Sequence, residues 1–186
     1  MKRLLIAAAL AAALSVAAQE TYTVDAGHTV PAFEVKHLGM STQRGLFTKA
    51  SGKITIDRAA KKGTADITID MNSVSTSVPK LNEHLKADDF FGAEKFPTAT
   101  FKGNDFKFEG DKLVSVGGNL TLKGVTKPVT LTVTAFNCGN HPMMKKPMCG
   151  ADASVTLKRS DFGINYGIPA LGDDVKLSIP VEAFKD

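Results

Sequence analysis

Val129-Thr130-Leu131-Thr132-Val133-Thr134-Ala135 alternates apolar and hydroxyl side chains from end to end. Successive side chains of an extended chain point to opposite faces, so this run has one apolar face and one threonine face that water can wet. Half-buried strands of that kind belong to antiparallel sheets; strands of parallel sheets, covered on both faces, read as continuous apolar runs. The sign recurs outward in both directions. Ala65, Ile67, Ile69 and Met71 alternate with Asp66, Thr68 and Asp70. Val155 and Leu157 alternate with Ser154, Thr156 and Lys158, and Val175, Leu177, Ile179 and Val181 with Asp174, Lys176, Ser178 and Pro180.

Strands are expected at 22–25, 29–37, 45–57, 63–72, 97–108, 112–123, 126–137, 151–159 and 173–184. Lys61-Lys62-Gly63, Glu109-Gly110-Asp111 and Lys123-Gly124 are turn signals between them. Gly117-Gly118 falls inside a strand pattern, where glycine marks a bulge or bend that helps a sheet close. One helix is expected at 78–89, with Val78, Leu81 and Leu85 on its apolar face and Pro79 near its start, where a missing N–H costs little. Paired aromatics, Phe90-Phe91, follow it. About eight one-sided strands and one inserted helix predict an all-β fold, an antiparallel lipocalin-like barrel whose interior either is filled by side chains or holds one small ligand.

The chain opens Met1-Lys2-Arg3 and then runs apolar from Leu4 to Ala18 with one interruption at Ser15, too short for a comfortable membrane span of roughly 20 residues. A positive start, a short apolar stretch and small residues at Val16 and Ala18 predict a signal peptide over residues 1–18, and a single exported domain over 19–186, periplasmic or secreted. Loss of Lys2 and Arg3 leaves 21 basic against 19 acidic residues, a balance of about +2. No basic cluster stands out, so nucleic acid is not an expected partner. Export and an even count predict a disulfide between Cys138 and Cys149.

In order along the chain stand Tyr22-Thr23-Val24-Asp25 with His28, Phe33-Glu34-Val35-Lys36-His37, Gly45-Leu46-Phe47, His84-Leu85-Lys86, Asp88-Asp89-Phe90-Phe91, Phe96-Pro97-Thr98-Ala99-Thr100-Phe101, Gly118-Asn119-Leu120-Thr121-Leu122-Lys123-Gly124-Val125-Thr126-Lys127-Pro128 and Lys158-Arg159-Ser160-Asp161-Phe162-Gly163. This ordered set resembles the YceI-like family, the polyisoprenoid-binding group with a lipocalin-like barrel. Thr29 stands where that family usually has Ser, and the Cys138–Cys149 segment belongs to only part of it. The resemblance implies an exported carrier or store for an isoprenoid lipid, of polyprenyl or quinone type, held in the lumen, and a binder rather than an enzyme. It requires no cofactor. Transient contact with a membrane or membrane protein, and a homodimer, are compatible with it.

The alternating faces together with that resemblance nominate Phe33, Val35, Phe90, Phe91, Phe101, Leu131, Val133 and Ile179 as lumen residues, around an elongated space for several isoprene units. His37 and Arg159 end apolar faces, which places both near a rim. Each either contacts a lipid head group or serves the fold, Arg159 by pairing with an acid such as Asp161 and His37 by bonding backbone. His84, on the helix, either bonds into the mouth or caps a loop. No nucleophile elbow or closely spaced His pair is present, so catalysis is not expected. Two alternatives compete. The segment 138–149, with His141, Met143, Met144 and Met148, offers soft ligands that suit copper, although a disulfide removes both thiolates and Lys145-Lys146 repels a cation. A filled barrel acting through protein contacts is the other.

Overall fold

The structure, a computed structural model, describes residues 19–186; the expected signal peptide lies outside them. The elements are β1 (Glu20–Val24), β2 (Ala32–His37), β3 (Ser41–Phe47), β4 (Ala50–Asp57), β5 (Lys62–Asp70), β6 (Val74–Ser75), α1 (Pro79–Lys86), β7 (Thr98–Glu109), β8 (Lys112–Leu122), β9 (Val125–Asn140), β10 (Pro147–Lys158) and β11 (Leu171–Lys185). Short 3-10 turns cover Met71–Ser73 and Arg159–Phe162. Every pairing is antiparallel. The order β1-β4-β5-β7-β8-β9-β10-β11 returns to β1, which closes a barrel and leaves that ring without edges. The early part of β11 pairs with β2 and its end with β1, so β1 and β2 act as two halves of one broken strand; β3 and β4 are the matching halves beside them.

Those breaks correct two expected strands. Residues 45–57 are not one strand: β3 starts at Ser41, and Thr48 and Lys49 separate it from β4. The chain changes partners there, as Thr48 turns its N–H to the Ser73 carbonyl (3.2 Å) while β4 crosses to β1. Residues 29–31 are not strand either. The Thr29 N–H reaches back to the Asp25 carbonyl (3.0 Å), its hydroxyl bonds the Glu182 backbone, and Pro31 has no N–H to give. Periodicity reports which way side chains point and is silent on a change of partner.

The helix is shorter than 78–89. Val78 is its N-cap and half exposed, and Ala87 turns extended (φ −66°, ψ 166°), so 87–89 belong to the turns that carry Phe90 and Phe91. Among the described residues no helix is long and apolar enough to cross a membrane. The expected bulge is real but sits on the partner strand. Gly103 faces Gly118 and Asp105 faces Gly117, leaving Asn104 as the extra residue. A Cβ on Gly118 would collide with the Lys102 carbonyl and the Gly103 Cα, which is why glycine is needed there.

The interior splits along the barrel. Phe101, Phe106, Leu120, Val129 and Val133 centre the lumen cluster. Phe33, Phe47, Met71, Val74 and Leu85 form a second cluster under α1. Tyr22, Ile56, Cys149 and Ala183 close the far end.

Candidate functional site

Two apolar cavities, each about 160 Å³, are built from those clusters. The lumen cavity is walled by Phe101, Leu131, Val133 and Ile179, and by Ile67 and Val116 among others. The second lies at the helix end. Phe33, Val35, Phe90 and Phe91 line it rather than the lumen, together with Leu81 and Leu85 of α1. Phe47 and Leu177 line both. Phe33, Phe47 and Phe91 pack at centroid distances of 5.8, 6.4 and 5.5 Å, so an aromatic cluster stands where one continuous space for several isoprene units was expected. Gly45, in β3, makes that packing feasible: a Cβ there would overlap the Phe33 ring.

Arg159 is buried, but it does not close β10. It begins the 3-10 turn that follows. Its Nε donates to the Gly172 carbonyl (2.8 Å), its Nη1 to those of Ile164 (3.0 Å) and Tyr166 (2.9 Å), and its Nη2 to Leu171 (3.0 Å). The guanidinium thus holds the loop 163–170 against the start of β11. Asp161 is exposed and is not among these partners; the nearby acid is Asp173, whose carboxylate the Ser160 N–H (2.9 Å) holds below the ordinary range. Burial lowers the Arg159 pKa, and the Asp173 charge opposes that.

His37 reaches the rim of the helix-end cavity and is exposed. Gln43, opposite Val35 on the same face, joins it there. His84 lines neither cavity. Its ring packs edge-on against Phe90 (4.9 Å) and Tyr166 (5.3 Å), a clasp between α1 and the 163–170 loop, with Asp89 at 3.9 Å. Sequence reasoning missed Tyr166 and Gln43, and it placed Leu81 on the apolar face of the helix without nominating it for the cavity. Tyr166 lies in a loop with no periodicity, whereas Gln43 follows once β3 is seen to start at Ser41.

Cys138 and Cys149 are disulfide-bonded. They face each other directly across β9 and β10, inside the ladder rather than at the base of a loop. In the hairpin between them, His141 Nδ1 accepts the backbone N–H groups of Met143 (3.2 Å) and Met144 (3.1 Å). The carboxylates and imidazole that come together among the described residues are elsewhere, Asp25, His28 and Glu182. There His28 Nδ1 meets Asp25 Oδ2 at 2.7 Å.

A family model described as "YceI-like domain" matches residues 22–183. A UPF0312 protein of Pseudomonas paraeruginosa is 38% identical over 193 aligned positions, which cover 100% of this chain and 99% of the relative. The crystal structure of Burkholderia cenocepacia BcnA superposes with a TM-score of 0.74 at 26% identity, covering 86% of this chain and 99% of BcnA. A domain from Saccharophagus degradans described as polyisoprenoid-binding and implicated in plant cell wall breakdown shares the fold, with a TM-score of 0.66 at 20% identity and coverage of 89% and 98%.

Proposed function

The chain belongs to the YceI-like family, and we propose that it is an exported binding protein that carries or stores an isoprenoid lipid, of polyprenyl or quinone type, inside its barrel. The observation that carries this is the pair of apolar cavities joined through Phe47 and Leu177. Cavities of about 150 Å³ lined by Leu, Ile and Phe stay dry and take a benzene-sized guest, so each compartment suits roughly one five-carbon unit. Burying such a unit contributes about 3–4 kcal/mol before the ordering cost of the tail is subtracted. A longer tail passes from one compartment to the next by turning the Phe47 and Phe91 rings aside. The fold is one that a polyisoprenoid-binding domain also uses. Export is supported by the leading segment Met1-Lys2-Arg3 to Ala18 and by the disulfide.

The copper alternative has less support, because His141 spends Nδ1 on the hairpin's own backbone and both thiolates are bonded to each other. Native mass spectrometry of protein purified from its own host separates the alternatives. A co-purified mass matching an isoprenoid lipid is expected. A bound metal without lipid sinks the proposal in favour of the hairpin, and neither sinks it in favour of a filled barrel.

A further inference from the structure

We infer that the tip of the β2–β3 hairpin, Leu38-Gly39-Met40, and the 163–170 loop form a docking rim that enters the headgroup layer of an anionic bilayer and sets the helix-end cavity against it. The purpose of such a rim rests on the isoprenoid reading: an apolar tail leaving the cavity there passes into lipid without crossing water. The two segments meet. The Leu38 N–H donates to the Ala170 carbonyl (2.8 Å), and His37 pairs with Leu171. His37, Gln43, Ile164 and Leu171, at the base of these segments, all line the helix-end cavity.

The rim is apolar and in water. Met40 is 89% exposed, Leu38 55% and Tyr166 47%. Charged residues make up 23% of the chain, yet none lies from His37 to Gln43 or from Phe162 to Gly172. No formal charge therefore has to leave water when the rim enters the headgroup layer, a level that amphipathic tyrosine also favours. The hairpin turn adds a second sign. It closes with the Met40 N–H donating to the His37 carbonyl (2.9 Å), and both central residues, Leu38 (φ 54°) and Gly39 (φ 70°), are left-handed. Such a turn favours Asn-Gly. Leucine there strains the backbone and leaves an apolar side chain in water, whereas asparagine would suit both the turn and the solvent. The other non-glycine residues with positive φ among the described residues are lysines, Lys61, Lys123 and Lys145.

The nearest formal charges along both strands of the hairpin are cations, Lys36 on β2 and Arg44 on β3. With Lys176 of β11 they surround one acid, Glu34, so three cations stand against one anion behind the tip. Long basic side chains at that depth reach lipid phosphates while the tip is immersed, which selects an anionic surface. The loop side is bounded by Asp161 and Asp173 instead, so the hairpin leads the approach. Met143 and Met144 are also exposed and have Lys145-Lys146 beside them, but their hairpin lies beyond Cys149 at the far end of the barrel, and they line neither apolar cavity.

The test is flotation with vesicles of phosphatidylethanolamine and a minority of phosphatidylglycerol, using protein purified from its own host whose intact mass shows residues 1–18 removed. The wild type is expected to float with the vesicles. Leu38→Asn with Met40→Ser should lower its partition coefficient about tenfold or more, while the melting temperature holds or rises because asparagine relieves the turn. Vesicles without phosphatidylglycerol should bind about tenfold more weakly. The chain has no tryptophan, so Met40→Trp and Met143→Trp each place a single indole, and only the first should shift its emission to the blue when vesicles are added. A wild type that stays in solution overturns the docking and leaves the isoprenoid reading to the native mass spectrum. Equal flotation of the double variant, or a blue shift for Met143→Trp alone, overturns the assignment to this rim. An affinity indifferent to phosphatidylglycerol overturns the choice of an anionic surface. A wild-type dimer that does not float, and that the double variant separates into monomers, shows a second copy covering the rim and overturns the bilayer as its partner.

Discussion

Replacing Arg159 with Met separates a structural role from a ligand role. Methionine keeps much of the length and the apolar stem but has no donor, so the four carbonyls lose their partners together. The bond to Ile164 is buried, and the other three are part-buried. Roughly 2 kcal/mol for the buried acceptor and about half a kcal/mol for each of those that water can still reach gives a loss of about 3–4 kcal/mol. For a domain of this size that lowers the melting temperature by roughly 6–16 °C and takes a large share of a net stability of about 5–15 kcal/mol. Urea unfolding followed by far-ultraviolet circular dichroism measures it, and limited proteolysis reports whether the 163–170 loop has come loose first. Arg159→Lys should recover only part of the loss, since one ammonium cannot reproduce the fork. An Arg159→Met protein that unfolds within 0.5 kcal/mol of wild type, yet no longer holds lipid, would refute the reasoning and return Arg159 to the ligand.

Three further outcomes are expected. Cys138→Ser with Cys149→Ser should cost about 3 kcal/mol from the short loop the bond closes, and thiol labelling of the unreduced wild type should find no free cysteine; two reactive thiols in folded protein would overturn the pairing. Val133→Phe puts a ring into the lumen cavity while keeping it apolar, at a cost of about 1–3 kcal/mol if the space cannot absorb it. The folded variant should lose lipid, and undiminished loading would show that the tail lies elsewhere. His28 carries a raised pKa, first through its bond to Asp25. Its pairing therefore stabilises fully below the unfolded value of about 6.5 and is lost as pH rises through the folded value. Titration of the His28 ring by nuclear magnetic resonance should move back toward 6.5 in Asp25→Asn, and an unmoved midpoint would dissociate the pair.

The alternation in Val129–Ala135 and its counterparts determined the all-β antiparallel class, because period two ties side-chain direction to position directly, but it did not say which face turns inward; the fold puts Leu131, Val133, Ile179 and Phe101 around one cavity. Cysteine parity, read with the expectation of export, was enough for the pairing now seen between Cys138 and Cys149. Three things were decided only by the tertiary structure. The strand expected at 45–57 divides because the chain exchanges β2 for β1 as its neighbour, a choice made between segments that share no local sequence. The apolar space takes the form of two cavities that share Phe47 and Leu177, and Phe33, Phe47 and Phe91, far apart in the chain, meet over Gly45 beside them. Arg159 turns from a rim cation into the anchor of a loop because the carbonyls it satisfies converge only when β11 returns beside the turn at Arg159–Phe162. A buried guanidinium takes whichever acceptors arrive, and its partners are a property of that convergence rather than of its neighbours in sequence.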